Sequence, residues 1–211
     1  MRVMNNPQEI EARSFEIIDG LLSGIKFPRY QKDVVRRVIH TTTELRYARD
    51  MIFSEGAISA GINALRRGCN IVVDSSMVMS GINKKISSEF KNKILCPIYN
   101  KEVIKEAERL RLTRAIVAMR ESPREINGAI VAIGNAPTAL FELCDLIKKA
   151  HTKPSLVIGI PVGFVGAAES KKKLRALGVP YITNKSKRGG STVAVAIVNA
   201  LLILAKNREV K

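Results

Sequence analysis

The sequence predicts an α/β fold: a three-layer αβα arrangement around a central, mainly parallel five-stranded sheet, Rossmann-like in topology but without a dinucleotide fingerprint. Two observations predict it. Short β-branched runs alternate with helical segments over most of the chain, as in βαβ units. Turns rich in glycine and helix-starting residues separate several of these runs from the helices behind them. The 211 residues suit one α/β domain, so residues 1–211 are predicted to form a single domain.

Two helices are predicted before the alternating part of the chain. Between residues 8 and 25, apolar side chains recur at three- and four-residue spacing, which predicts a helix with one apolar face. A second helix is predicted to run to about His40, since apolar residues precede that histidine at helical spacing. These residues are Val34, Val35, Val38 and Ile39.

Five apolar runs are predicted to form the sheet: Ile71–Val73, Ile94–Ile98, Ala129–Ile133, Leu156–Ile160 and Tyr181–Ile182. Helices are predicted over Ser76–Asn83, Glu102–Met119, Pro137–Ala150, Ala167–Leu177 and Ser191–Lys206. Right-handed crossovers place the turns behind parallel strands at the carboxyl edge of the sheet, where open α/β folds bind ligands. We therefore expect the ligand site at this edge.

The charge balance predicts a polyanionic ligand. The chain has 35 Lys and Arg against 19 Asp and Glu, a net charge of +16 and a pI near 10.1. Nucleic acid and a metabolite with many carboxylates would both be attracted. Aromatic residues are only 5% of the chain, Trp is missing, and no RNP-like or zinc-knuckle pattern occurs. We therefore expect no nucleic-acid partner, although the pI alone leaves that alternative open.

The sequence also argues against metal-binding, secreted, membrane-spanning and nucleotide-dependent proteins. The chain has three widely spaced cysteines and only two histidines, which argues against a metal site or disulfides. No signal-peptide core is visible near Met1, so a cytoplasmic location is expected. The apolar run Thr192–Ala205 is too short to cross a membrane and is predicted to be a buried helix. No Gly-x-Gly-x-x-Gly or P-loop pattern follows a strand, so no dinucleotide or ATP cofactor is expected.

Four loops rich in small residues fall at the predicted carboxyl edge: Asp74–Met77, Gly134–Thr138, Gly163–Ser170 and Arg188–Thr192. Glycine lets a backbone approach a ligand, and helix N-termini offer unpaired N–H groups to carboxylate or phosphate. Ordinary turn and capping chemistry is the alternative for any one loop. Several such loops at one edge favour an anion site.

Three groups of charged residues are candidates for ligand contact. Arg114 interrupts an apolar stripe, so it either meets an anion or reaches water along its stem. His40 ends a helix, where the helix dipole favours a cation, and imidazole is suited to proton donation near neutral pH. A histidine at a helix end is also often structural. The Lys171–Lys173 run is predicted to be a solvated face, whereas Lys185–Arg188 abuts a glycine loop and is expected to steer anions.

Taken together, seven segments resemble the precorrin-8X methylmutases in order and spacing. They are Glu11–Ile18, Arg37–His40, Asp74–Ile82, Thr113–Ala115, Gly134–Leu140, Pro161–Lys171 and Arg188–Ser191. The resemblance covers nearly the whole chain, and the segments around Asn135 and Phe164 are the most specific. One departure is Thr41–Thr43, where the family tends to have small residues and glycine. A Rossmann-like methyltransferase is a poorer match, because no adenosyl-binding glycine loop follows the first strand.

The resemblance implies a three-layer fold, usually a homodimer, and an isomerase of cobalamin biosynthesis that consumes no cofactor. The implied reaction is a 1,5-sigmatropic shift of a methyl group from ring position 11 to 12 of precorrin-8X or cobalt-precorrin-8. It gives hydrogenobyrinic or cobyrinic acid, and the family's catalytic histidine falls on His40. The expected substrate-binding residues are Arg13, Ser14, Ser76, Arg114, Asn135, Ala136, Gly163, Gly166, Arg188, Gly189 and Gly190.

Overall fold

The computed structural model of the chain describes residues 5–28 and 30–207. These residues form one six-stranded sheet in the order β1-β6-β5-β4-β2-β3, parallel throughout except where β1 pairs with β6. The strands are β1 (Met51–Phe53), β2 (Ile71–Val73), β3 (Ile94–Leu95), β4 (Ile130–Ile133), β5 (Leu156–Gly159) and β6 (Tyr181–Asn184).

Helices cover both faces of the sheet. In chain order they are α1 (Pro7–Leu21), α2 (Gln31–Thr42), α3 (Tyr47–Asp50), α4 (Ala57–Arg66), α5 (Ser76–Gly81), α6 (Lys84–Glu89), α7 (Lys101–Leu110), α8 (Arg114–Arg120), α9 (Pro123–Ile126), α10 (Pro137–Lys148), α11 (Ala167–Arg175) and α12 (Ser191–Asn207). A short 3-10 helix, Pro97–Tyr99, follows β3.

The three-layer, mainly parallel fold is confirmed, but the predicted count of five strands is wrong. The additional strand is β1, which has three half-buried residues and pairs with β6 at the edge of the sheet. The strand predicted over Ile94–Ile98 ends at Leu95. Pro97 has no backbone N–H to donate to a neighbouring strand, so the chain turns into the 3-10 helix there.

The single helix predicted over Glu102–Met119 is also wrong, because the structure has α7 and α8 there. Arg111 ends α7 in the left-handed region at φ 53°. The side chain of Thr113 then caps α8 by accepting the amide of Ile116 at 3.3 Å. Arg114 is therefore the first residue of α8, and its side chain is exposed at a helix end instead of interrupting a buried stripe.

Two hydrophobic cores lie on opposite faces of the sheet, as expected of parallel strands buried on both sides. Alternate residues of β4 show the division, since Ile130 packs with α2, α4 and α12 while Val131 packs with α8 and α10. The predicted buried helix is α12, whose apolar residues are almost all inaccessible. Among the described helices, none is long and apolar enough to span a membrane.

The single domain over residues 1–211 stays a prediction. Residues 1–4, 29 and 208–211 of that range lie outside the described residues.

Candidate functional site

The loops behind β5 and β6 meet at the carboxyl edge, as the sequence predicts. The amide of Gly163 donates to the carbonyl of Lys187 at 3.1 Å, and the amide of Gly190 donates to the carbonyl of Ile160 at 2.9 Å. These bonds tie the two loops to each other directly beside the strand ends. The Gly190 amide is therefore already engaged within the chain, and its contact with a ligand carboxylate stays a prediction.

Asp74 ties the loop behind β2 to the start of α10. Its carboxylate accepts the backbone amides of Gly134, Asn135 and Ala136 at 3.0, 2.8 and 2.7 Å. The side chain is 1% exposed, and burial raises its pKa against the opposing effect of these three hydrogen bonds. The amides of this turn thus bind an internal carboxylate, and ligand contact at Asn135 and Ala136 stays a prediction. The Asn135 side chain remains exposed at the edge.

The loop behind β6 is held by the carboxylate of Asp50, at the end of α3. That carboxylate accepts the amides of Lys185 and Ser186, each at 3.0 Å. It also accepts the side-chain amide of Asn184 at 2.8 Å. Asn184 in turn donates to the carbonyl of Arg188 at 3.0 Å. The main chain leading to Arg188 is thus fixed by buried and half-buried polar groups.

Lys171 approaches the same loop from α11. Its side chain is 1% exposed, so the prediction of a solvated face is wrong for this member of the lysine run. Its Nζ donates to the carbonyls of Ser186, at 2.9 Å, and Arg188. Burial lowers the pKa of Lys171 to about 8, although the charge of Asp50 acts in the opposite direction. Lys172, the next residue, is exposed.

The Arg188 side chain is exposed and lines a cleft of about 360 Å³. Phe164, with 88% of its surface exposed, lines the same cleft, and the Nζ of Lys187 lies 5.9 Å from the centre of its ring. The cleft therefore combines two cationic side chains with an exposed aromatic ring. Such a surface suits a ligand that carries both carboxylates and a conjugated ring system.

Gly189 fixes the backbone between that cleft and α12. Its φ is +149°, and a Cβ built on it would lie 2.1 Å from the carbonyl oxygen of Ile160. A contact that short against main chain cannot be relieved by rotating a side chain, so only glycine fits this loop conformation. The sequence prediction that glycine is needed for close backbone approach holds here, but the approaching group is the chain itself.

His40 lies in a separate groove of about 360 Å³ between α1 and α2. Ser14 shares the groove, and apolar residues form most of its remaining wall; they are Ile17, Ile18, Leu21, Ile39 and Leu45. The His40 side chain is half-buried, and its imidazole makes no hydrogen bond within the described residues. Its ring nitrogens are therefore available to a bound molecule. Ser14 donates its hydroxyl to the carbonyl of Ile10 at 2.8 Å.

Phe15 positions the His40 ring. The two ring centres are 5.2 Å apart and the planes are tilted by 55°. The guanidinium carbons of Arg36 and Arg37 lie 4.4 and 5.1 Å from the centre of the Phe15 ring. Arg37 is held in turn by Glu11 at 3.1 Å. The packing restricts the imidazole without occupying its nitrogens.

The remaining predicted site residues are distributed over the molecule. Arg13 does not line the His40 groove; it is exposed and pairs with Glu16. Ser76 begins α5 and accepts the hydroxyl of Tyr99 at 3.1 Å. Arg114 begins α8 near the start of α10, since Thr113 and Thr138 lie 3.4 Å apart. Gly166, at φ +77°, caps α11.

Helices α2 and α3 connect the His40 groove with the loop that carries Arg188. No described residue lines both the His40 groove and the Arg188 cleft. Helix α2, which carries His40, is followed by α3, and Asp50 at the end of α3 binds the loop that leads to Arg188. Burial raises the pKa of Tyr47 in α3 and the charge of Asp50 adds to this rise, whereas the charge of Arg188 acts in the opposite direction. The histidine and the cationic loop are thus built on one continuous support.

Sequence reasoning missed Lys171 and the packing role of Phe15. Helical spacing was the available signal for Lys171, since it falls four residues after the buried Ala167 and three before the buried Leu174. Phe15 was assigned only to an apolar helix face, and nothing in its local sequence indicates contact with His40 in the next helix.

Comparisons with known proteins by sequence and by structure find relatives of the same family. The sequence profile of the precorrin-8X methylmutase family matches residues 9–204. A cobalt-precorrin-8 methylmutase of Priestia megaterium is 50% identical over 94% of this chain and 88% of its own length. A precorrin-8X methylmutase of Pseudomonas aeruginosa is 40% identical over 92% and 94%. A solved precorrin-8X methylmutase structure from Thermus thermophilus superposes with a TM-score of 0.89 at 38% identity, covering 94% and 96%.

Proposed function

Because the chain belongs to the precorrin-8X methylmutase family, we propose that His40 is the catalytic acid of its reaction. The chain is an isomerase of cobalamin biosynthesis that moves a methyl group on a tetrapyrrole ring. The observation that supports the role of His40 is its setting. The imidazole is half-buried beside a largely apolar groove, is packed in place by Phe15, and has both nitrogens free of partners within the described residues.

The proposed reaction needs one proton donor and no other reagent. Protonated His40 donates to the ring system near ring position 11, which raises the electron demand at ring position 12. The carbon–carbon bond from the methyl group to position 11 breaks as the bond to position 12 forms. The proton then returns to His40, so the product has the same atoms as the substrate. A tetrapyrrole seated against the apolar wall would exclude water from the imidazole and so strengthen its interaction with the ring.

We propose that the substrate's carboxylates are bound by cationic and polar groups at the carboxyl edge. Arg188 and Arg114 supply exposed guanidinium groups there, and Asn135 and Ser76 supply shorter polar side chains. Ser14 supplies a hydroxyl in the separate His40 groove. The remaining members of the expected set are Arg13, Ala136, Gly163, Gly166, Gly189 and Gly190. Arg13 lies on α1, whereas the others lie in loops that are fixed by internal hydrogen bonds before any ligand arrives, which reduces the entropy lost on binding.

We propose that cobalt-precorrin-8 is the preferred substrate. The support is the Priestia megaterium protein, a cobalt-precorrin-8 methylmutase at 50% identity. Cobalt occupies the ring nitrogens, so the proton from His40 then goes to the carbon skeleton. The conversion of each substrate by the purified enzyme can be measured from the change in its visible spectrum. The kcat/KM for the cobalt form should be about tenfold above that for precorrin-8X. Equal or reversed values would contradict the preference, and conversion of neither substrate would contradict the proposed function.

We also propose that the enzyme is a homodimer. Several large apolar side chains are exposed near the groove and the cleft, namely Ile17, Leu21, Leu45, Phe164 and Val165. Exposed apolar side chains of this size are typical of surfaces that are covered by a second chain. Light scattering of the purified protein is expected to give twice the chain mass of 23.2 kDa. A mass of one chain at every concentration tested would contradict the proposal.

A further inference from the structure

We propose that Lys171 is a positioning residue for substrate binding: it holds the main chain of the loop behind β6 so that Arg188 presents its guanidinium to a substrate carboxylate. The inference rests on the proposed role of Arg188 within the methylmutase reaction. Lys171 itself lies beneath the loop and does not reach the cleft that Arg188 lines.

The contacts of Lys171 are specific to this loop. The Nζ donates to the carbonyls of Ser186 and Arg188, two residues apart on one stretch of main chain. The carboxylate of Asp50 accepts the amides of Lys185 and Ser186 in the same stretch. An ammonium group therefore binds the loop's carbonyls while a carboxylate binds its amides, which fixes the orientation of the peptide groups between them.

Burying a lysine to provide hydrogen bonds for two carbonyls is energetically unfavourable. Moving an ammonium group out of water is strongly unfavourable unless charged or polar partners compensate for it. Here the compensation comes from two carbonyls and the charge of Asp50, and burial still lowers the lysine pKa to about 8. A methionine of similar length would fill the same space without that cost. The charged group is therefore explained better by what it positions than by packing alone.

The loop has little freedom to compensate for the loss of Lys171 in another way. Gly189 lies against the carbonyl of Ile160, and Gly190 donates to that same carbonyl. Without Lys171, the Arg188 carbonyl keeps its hydrogen bond from the side chain of Asn184. The Ser186 carbonyl loses the hydrogen bond that Lys171 donates to it. We expect the loop to stay in place but to lose the fixed orientation of the peptide groups before Arg188.

The test compares Lys171→Met with Lys172→Met, which removes the same charge from the exposed neighbouring position. Lys171→Met is expected to raise KM for the tetrapyrrole about tenfold, with kcat within about twofold of wild type, because a displaced arginine weakens binding without touching the proton donor. Lys172→Met should leave both constants unchanged. Lys171→Gln, which keeps an N–H donor group without the charge, should lie between wild type and Lys171→Met.

A double variant separates positioning from a general structural role. If Lys171 acts through Arg188, adding Lys171→Met to Arg188→Ala should raise KM no further than Arg188→Ala alone. Additive effects, or a well-folded Lys171→Met enzyme with wild-type KM, would overturn the inference. If Lys171→Met fails to fold, Lys171→Gln carries the same comparison. Failure of the wild-type enzyme to convert the tetrapyrrole would instead refute the proposed function, so the two failures are distinguishable.

Discussion

Replacing His40 with alanine is expected to reduce kcat by about 100- to 10,000-fold, the range over which a positioned general acid accelerates proton transfer. Binding should change little, because the carboxylate-binding groups at the carboxyl edge are untouched. The fold should also survive, since the side chain is only half-buried and makes no hydrogen bond within the described residues. Steady-state kinetics with the tetrapyrrole, together with circular dichroism, check all three expectations.

The matched control is His151→Ala, which removes the other histidine of the chain. His151 is exposed beyond the end of α10, away from both the groove and the cleft, so this variant should keep wild-type kinetics. A folded His40→Ala enzyme with unchanged kcat would show that His40 is not the acid. Loss of activity in both variants would mean that the assay responds to something other than the proposed proton donor.

Replacing Asp74 with alanine is expected to lower the free energy of unfolding by about 3–5 kcal/mol. The reason is that three amides at the start of α10 lose a charged acceptor in a buried position, and alanine has no oxygen to replace it. This is a large part of the stability of an ordinary domain. Urea unfolding followed by circular dichroism measures the difference.

Two further variants make the Asp74 measurement specific. Asp145→Ala removes a carboxylate from the other end of α10, where it forms a partly exposed ion pair with Lys173, and should cost no more than about 1 kcal/mol. Asp74→Asn keeps one acceptor oxygen and should fall between wild type and Asp74→Ala. If Asp74→Ala is as stable as Asp145→Ala, the three hydrogen bonds do not hold the loop as described.

Strand and helix periodicity predicted the layers of the fold well, because parallel strands buried on both faces have a distinctive sequence. The runs around Val131 and Val157 are examples, and both form fully buried strands. Strand β1 was missed since Met51–Phe53 contains a single β-branched residue and is only half-buried, unlike the equally short but fully buried run Ile71–Val73. The break between α7 and α8 depends on Arg111 adopting a left-handed conformation, which glycine normally supplies and which its sequence does not signal.

The candidate site was predictable only in part. The glycine loops marked the carboxyl edge correctly, but sequence could not show that the helix N-terminus at Asn135 already holds the carboxylate of Asp74. That bond joins residues about sixty positions apart, and its geometry depends on the order of strands in the sheet. The position of His40 beside Phe15 likewise depends on how α1 packs against α2. Such long-range contacts leave no local pattern in the chain.

The most direct test of the central claim follows the migrating methyl group itself. Cobalt-precorrin-8 carrying ¹³C in the methyl group at ring position 11 is incubated with the wild-type enzyme, and the product is examined by ¹³C NMR and mass spectrometry. The label is expected to move to ring position 12 in a product of unchanged mass. Label that stays at position 11, or that leaves the molecule, would contradict this expectation.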